Sequence, residues 1–230
     1  MMTTIADLWL SSSSEAWKNI GCQVGNVQQG DGSSVPFVWI AGLGLRFVEP
    51  ASETSGESSV VGWTLVADGA LSSMDGVPTQ VIDAPHPKPE SENTLEVLSI
   101  DHIVITTGSL DRTCGAIAES MHLPLKRIRE AGHGMRQGFH RAGPIILEIL
   151  ERPDLAPETR AAIWGLVFVV ADLDATVSWL GPDAVSEPRS AVQPGRRIAS
   201  VKKEECATAL SIYFSNCKCF TIAWTPNCSV

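Results

Sequence analysis

A repeated order of strand and helix patterns most constrains what this chain can fold into. In the clearest copy, residues 99–107 are rich in β-branched side chains, which predicts a strand. Ser109 then supplies an N-cap, and apolar residues at helical spacing continue to about His122. Three further strand candidates complete the copy: 123–130, 134–142 and 144–151. The order β-α-β-β-β predicts a mixed sheet with its helix outside.

Two other segments follow the same order. Ile163 to Val170 matches the first strand, Asp172 begins a helix, and Ala209 to Phe214 is a candidate closing strand. A weaker copy covers residues 4–66. We therefore predict an α/β (α+β) protein of tandem βαβββ modules that form curled mixed sheets. The predicted divisions are an N-terminal module at 1–82, a proline-rich linker at 83–98, the best-preserved module at 99–152, and a second module with a diverged tail at 162–230.

Charge and hydropathy narrow the range of partners. The net charge is −9 and the isoelectric point is near 5.0, which disfavours nucleic acid because phosphate binding needs clustered Lys and Arg. The longest apolar run, 163–171, is shorter than the ~20 residues that cross a bilayer. The segment Met1 to Leu10 lacks the basic region of a secretory signal. These features favour a cytoplasmic protein without a nucleic-acid or membrane partner.

Two motifs of the best-preserved module resemble the vicinal-oxygen-chelate superfamily, which includes glyoxalase I, extradiol dioxygenases and bleomycin-resistance proteins. Ile-Asp-His-Ile-Val-Ile at 100–105 opens the module, and Leu-Glu-Ile-Leu at 147–150 closes it. Glu148 follows His102 by 46 residues. The resemblance covers 99–151 well, 162–203 loosely and 4–66 faintly.

The resemblance implies one divalent metal ion (Fe, Mn, Ni or Zn) held by His102 and Glu148. The ion would act as a Lewis acid on two adjacent substrate oxygens, in a glyoxalase-like lyase or isomerase or in a dioxygenase. Glu148 could also be a general base, and His140 a base or third ligand. Arg136 and Trp164 are candidate substrate contacts. Each has a plainer interpretation: hydrogen bonding within the sheet, an exposed position, or core packing.

The other modules depart from the pattern. The alignment places Gly165 opposite His102 and Ser211 roughly opposite Glu148. In the N-terminal module the equivalents are Asp7 and Arg46, and a guanidinium cannot bind a cation. A complete ligand set would then need two middle modules from the two chains of a homodimer. The alternative hypothesis is a metal-free small-molecule binding protein of the bleomycin-resistance type.

Overall fold

The computed structural model contains two open mixed β-sheets, with seven strands in the first and eight in the second over the described residues. Those residues are 3–28, 32–48, 60–86, 95–132, 134–191, 194–202 and 211–216. Positions 87–94 of the predicted linker and the tail at 217–230 lie outside them. Within the described part of the chain, no helix is long and apolar enough to cross a membrane.

The first sheet has the strand order β2-β3-β4-β1-β5-β7-β6. Its elements are β1 (Thr4–Leu10), α1 (Glu15–Asn19), β2 (Val24–Gln28), β3 (Ser34–Ile40), β4 (Leu43–Phe47), β5 (Val60–Val66), β6 (Ser73–Met74) and β7 (Val77–Ile82). β1 runs parallel to β4 and antiparallel to β5, and β5 runs parallel to β7. β5 thus begins a second unit that has no helix before β6, although the sequence pattern had assigned 60–66 to the end of the first unit.

The second sheet has the order β13-β14-β15-β12-β8-β11-β10-β9. Its elements are β8 (Val97–Thr107), α2 (Leu110–Ser120), β9 (Arg127–Glu130), β10 (Arg136–Ala142), β11 (Ile145–Glu151), β12 (Ala162–Val170), α3 (Leu173–Leu180), β13 (Arg189–Ser190), β14 (Arg197–Ser200) and β15 (Ser211–Asn216). These are two βαβββ units joined by the antiparallel pair β8–β12. The predicted fold class is confirmed, and β15 shows that part of the diverged tail belongs to the sheet.

Helix α2 covers one face of the second sheet. The Ser109 hydroxyl accepts a hydrogen bond from the Arg112 backbone N–H at 3.4 Å, as the predicted N-cap requires. The buried α2 side chains include Leu110, Cys114 and Ile117. Burial of Leu110 and Ile117 contributes about 1.5–3 kcal/mol each. The helix approaches β10 closely because Gly138 has no side chain: a Cβ there would lie 2.7 Å from Cys114 Sγ. We call this side of the sheet the helix face and the other side the open face.

A β-bulge in β8 redirects the residues around the predicted metal ligand. Ile100 pairs with Phe168 and His102 pairs with Val167, so Asp101 is an extra residue in β8. Ile100 therefore lies on the helix face, where it belongs to the core. Without the bulge, strand alternation would place Ile100 on the same face as His102.

Asp75 connects the two sheets. It lies with Gly76 in the two-residue turn between β6 and β7, where both have positive φ (44° and 94°), as a type I′ turn requires. Its carboxylate, 1% exposed, accepts hydrogen bonds from Arg112 Nε, the Thr113 hydroxyl and an Arg160 guanidinium nitrogen. Burial raises the pKa of Asp75, but these hydrogen bonds outweigh it and the net pKa lies below 3.8.

Candidate active site

His102 on β8 and Glu148 on β11 lie side by side on the open face of the second sheet. The strands run parallel, with His102 opposite Ile146 and Glu148 opposite Val104, so the two residues are diagonal neighbours. His102 Nε2 lies 3.5 Å from Glu148 Oε2. The side chains are 22% and 16% exposed, so both are mostly shielded and still reachable from solvent. The structure therefore brings the sequence-predicted pair together.

Asp101, the bulge residue, orients the imidazole of His102. Its Oδ2 lies 2.8 Å from His102 Nδ1, and its Oδ1 accepts a hydrogen bond from Arg196 at 3.1 Å. Burial raises the pKa of Asp101, but the hydrogen bonds and charges of His102 and Arg196 give a net pKa below 3.8. An ionised carboxylate can only accept, so Nδ1 of His102 carries a hydrogen and Nε2 is directed toward Glu148. Sequence analysis missed this role, because the bulge that produces it has no clear sequence signal.

Gln137 and Arg129 hold the other side of the Glu148 carboxylate. Gln137 Nε2 donates a hydrogen bond to Glu148 Oε1 at 2.6 Å, and Arg129 Nε donates to the Gln137 side-chain oxygen. The guanidinium groups of Arg127 and Arg129 lie over the Phe139 ring, 5.5 and 5.3 Å from its centroid. Phe139 is directly opposite Glu148 in the sheet. One Glu148 oxygen is thus fixed by the protein while the other faces His102.

His140 does not reach this cluster. It pairs with Leu147, a core residue, so alternation puts both on the helix face, opposite to Glu148. Its Nδ1 donates a hydrogen bond to the Leu123 carbonyl at 2.8 Å, and Nε2 is buried without a partner. Burial lowers the pKa of His140, which favours the neutral ring. The structure therefore does not bring His140, the predicted base or third ligand, together with His102 and Glu148.

Arg136 also lies away from Glu148. Its guanidinium donates hydrogen bonds to Asp111 in the first turn of α2, at 3.0 Å, and to Glu151, at 3.3 Å. Glu151 in turn accepts a hydrogen bond from the Leu110 backbone N–H. Arg136 is therefore part of a network at the start of α2 on the helix face, and the structure does not place it among substrate contacts.

The β12 half of the open face carries aromatic residues at the positions equivalent to Asp101 and Glu148. Trp164 is an extra residue in β12, as Asp101 is in β8, which makes Gly165 the equivalent of His102, as the sequence alignment predicted. Val167 pairs with Tyr213 as Val104 pairs with Glu148, so Tyr213 is the equivalent of Glu148. The predicted equivalent, Ser211, is two residues away.

Trp164 and Tyr213 form an aromatic pair on this half of the sheet. Their ring centroids are 6.2 Å apart with the planes tilted by 35°, and both side chains are half-buried. Phenol and indole groups are amphipathic and suit the wall of a ligand site. Neither they nor Gly165 replaces the imidazole and carboxylate of the β8 half.

The first sheet repeats the geometry with different chemistry. Asp7 lies opposite Gly44 and Trp9 opposite Arg46, so Asp7 and Arg46 have the diagonal relation of His102 and Glu148. This supports their alignment as equivalents. Arg46 donates a hydrogen bond to Asp7 at 3.1 Å, and the two side chains are 9% and 0% exposed.

Further groups complete the Asp7 cluster. Thr64 donates to Asp7 Oδ1 at 2.9 Å, and His86 Nε2 lies 2.8 Å from Asp7 Oδ2. Both Asp7 oxygens are therefore occupied by protein groups. A buried carboxylate in that environment is an ion-pair partner and is not available to bind a metal ion.

His102 and Glu148 offer a nitrogen and an oxygen that suit two protein ligands of one divalent cation. Imidazole nitrogen and carboxylate oxygen both bind first-row divalent metals, and their spacing allows one ion between them after small side-chain rotations. Within the described part of the chain, no three His, Cys, Asp or Glu side chains form a group that could hold a metal. The remaining coordination positions would belong to water or substrate.

Solved structures with a similar fold are known. No family model and no curated protein matches the sequence. A mutant of 4-hydroxymandelate synthase from Streptomyces coelicolor matches 94% of this chain and 93% of its own, with a TM-score of 0.67 and 14% identity. A xylose isomerase-like TIM barrel/4-hydroxyphenylpyruvate dioxygenase fusion protein matches 97% of this chain and 50% of its own, with a TM-score of 0.67 and 11% identity.

The chain has the vicinal-oxygen-chelate fold. Both matches extend over both sheets. Methylmalonyl-CoA epimerase from Mycobacterium tuberculosis matches 55% of this chain and 93% of its own, with 16% identity and a TM-score of 0.44. At these identities the likeness establishes the fold, and activity must be argued from the site.

Proposed function

We propose that this protein is a glyoxalase- or dioxygenase-like enzyme that uses one divalent metal ion on a small substrate with two adjacent oxygens. The observation that carries the proposal is the line Asp101–His102–Glu148, with Asp101 on Nδ1 and the Glu148 carboxylate 3.5 Å from Nε2. His102 Nε2 and Glu148 Oε2 would hold the ion. When bound, the ion would polarise the substrate oxygens as a Lewis acid.

The surroundings of the pair support this role. Histidine ligands in metal sites usually donate their second ring hydrogen to a carboxylate or carbonyl, which fixes the ring and increases its basicity. Asp101 supplies that contact, and Gln137 fixes the orientation of Glu148. Gly165, the equivalent of His102 on β12, supplies no third side-chain ligand.

A homodimer that brings two His102–Glu148 pairs together could not form by pairing the first strands of two modules, as the modules within this chain do. Within the chain, the modules of each sheet pair through their first strands, and β12 already occupies the corresponding edge of β8. We therefore propose that a single chain supplies the two ligands. Such a site should bind metal less tightly than one with three protein ligands.

Metal analysis of the purified protein tests the proposal. We expect a divalent metal near one equivalent per chain after ion addition and buffer exchange, and its loss in His102→Ala and in Glu148→Gln. His122→Asn is a matched control, because His122 is exposed and has φ 54°, a conformation that Asn tolerates. Turnover of α-keto aldehyde adducts and catechols would be screened in parallel. Unchanged metal content and turnover in His102→Ala would refute the proposal.

A metal-free binding protein is the second candidate. The Trp164–Tyr213 pair and the glycine at the His102-equivalent position favour it, because they give half of the open face an aromatic lining without metal ligands. In that case no added divalent ion would bind. Saturable quenching of tryptophan fluorescence by a small molecule, retained in EDTA, would identify this function.

A further inference from the structure

A pocket of about 210 Å³ adjoins the His102–Glu148 pair on the β9–β10 side. Its lining residues are Lys126, Arg127, Phe139, His140, Arg141 and Ile146. Two of them connect it to the pair, because Ile146 is directly opposite His102 and Phe139 is directly opposite Glu148. A molecule in the pocket would therefore rest beside both proposed ligands.

The charges around this pocket have one sign. Of the residues that the structure describes, Lys126, Arg127 and Arg141 line it and no carboxylate does, although the chain as a whole has a net charge of −9. Lys126 and Arg141 are exposed at its rim, whereas Arg127 is held over the Phe139 ring. Phe139 and Ile146 provide the apolar part. Cations around an apolar pocket are complementary to an anion that also has a hydrocarbon portion.

The spacing between strands sets the length of the hydrocarbon portion that such an anion would need. Arg141 is opposite Ile146, and Ile146 is opposite His102, so Arg141 is two strands away from His102 on the open face. Neighbouring strands are about 5 Å apart, which places these two positions roughly 10 Å apart. An acid group at the rim could reach the metal ligands only through a chain or ring of several carbon atoms.

We propose that this pocket binds the acidic end of an amphiphilic small molecule, a carboxylate or phosphate, whose apolar body lies on Phe139 and Ile146. The inference rests on the proposed function for the molecule's other end, which would extend to His102 and Glu148. It thereby gives the substrate class: an anion with its reactive oxygens roughly 10 Å from its acid group.

Titration of the EDTA-treated full-length protein with hexanoate, hexyl phosphate and hexan-1-ol tests the pocket, with ¹H–¹⁵N chemical shifts as the readout. We expect at least one anion to bind about tenfold more tightly than the alcohol and to shift the amides of Phe139 and Ile146. The tighter anion identifies the acid group. Equal binding of the alcohol, or shifts elsewhere only, would overturn the proposal.

Neutral variants test the charges. Lys126→Gln combined with Arg141→Gln should weaken the preferred anion about tenfold, as expected for the loss of two exposed charges. Arg189→Gln is the matched control: Arg189 is exposed on β13, at the opposite edge of the same sheet, and its loss should change affinity less than twofold. Unchanged affinity in the double variant would refute the pocket.

The two proposals fail separately because the titration contains no metal. Anion binding that depends on Lys126 and Arg141, together with metal content unaffected by His102→Ala, would retain the pocket and reject the metal site. Metal bound through His102 without a preference for anions would retain the site and reject the pocket.

Discussion

Replacing Asp75 should reveal how much the contact between the sheets contributes to stability. Its carboxylate belongs to the first sheet, while two of its donors, Arg112 and Thr113, belong to α2 of the second-sheet unit. Arg160, the third donor, precedes β12. Asp75→Asn keeps the size of the side chain and its tolerance of positive φ, and removes the charge. Asp75→Ala removes the hydrogen bonds as well.

The structure sets the size of each effect. Hydrogen bonds to a charged group contribute about 1.5–3 kcal/mol, compared with 0.5–1.5 kcal/mol for neutral ones, so Asp75→Asn should lower the free energy of unfolding by about 1–2 kcal/mol. Asp75→Ala should lower it by about 3–5 kcal/mol, because it leaves a partly buried Arg112 and forces Ala into φ 44°. Arg112 keeps hydrogen bonds to Thr107 and the Thr159 carbonyl, which favours the lower end of that range.

Urea unfolding followed by tryptophan fluorescence at several pH values measures both effects. The folded-state pKa of Asp75 is lowered, so its stabilisation is present above the ordinary carboxyl pKa and is lost as pH falls through the folded value. The difference between the wild type and Asp75→Asn should therefore be constant above about pH 5 and shrink at lower pH.

The control is Asp154→Asn. Asp154 is an exposed carboxylate paired with its neighbour Arg152, and its replacement should leave the urea midpoint unchanged within error. Equal midpoints for the wild type and Asp75→Asn at pH 7, or a difference that persists undiminished at pH 3, would refute the assigned role of the Asp75 charge.

Three further outcomes follow from the geometry. Asp101→Asn should weaken metal binding about 10- to 100-fold without unfolding the protein, as measured by metal titration and circular dichroism; unchanged affinity would exclude its orienting role. Burial chiefly raises the pKa of Cys114 to about 12, so iodoacetamide at pH 8 should label Cys114 in the native protein far more slowly than in urea, as peptide mass spectrometry would show. Arg46→Met should lower the free energy of unfolding by about 3–5 kcal/mol, because Asp7 is left buried without its guanidinium; a double variant that also carries Asp7→Leu should unfold at higher urea than Arg46→Met alone.

The parts of the fold that depend on local patterns were predictable. The β-branched run before Ser109, the cap and the helical spacing after it lie where β8 and α2 form. The pair His102 and Glu148 could be found because both ends of a module are marked by short apolar strands. The helix-free unit of β5 to β7 was missed, since without a helix the repeat loses its most distinctive element.

The face on which each β10 residue lies could not be predicted, because it depends on the turn to β11. Gly143 and Pro144 form a two-residue connection, with Ala142 paired to Ile145, and this sets Phe139 opposite Glu148. Shifting the pairing by one residue would place His140 there instead. Phe139 and Gln137, rather than His140, therefore lie on the face of Glu148 because of a one-residue difference in strand register. Residue propensities do not determine that register.

The two sheets explain why the chemistry is assigned to only one of them. Both place a pair of polar residues at the same diagonal on the first and last strands of a unit. In the first sheet, Arg46 supplies the positive charge from within the chain, and Thr64 and His86 occupy the Asp7 oxygens. In the second sheet, no cationic side chain among the described residues lies between His102 Nε2 and Glu148 Oε2. Asp101 contacts Nδ1 of His102 and Gln137 contacts Oε1 of Glu148, so the two facing atoms are left available. The same backbone therefore supports a closed ion pair in one sheet and a pair of donors available to a cation in the other.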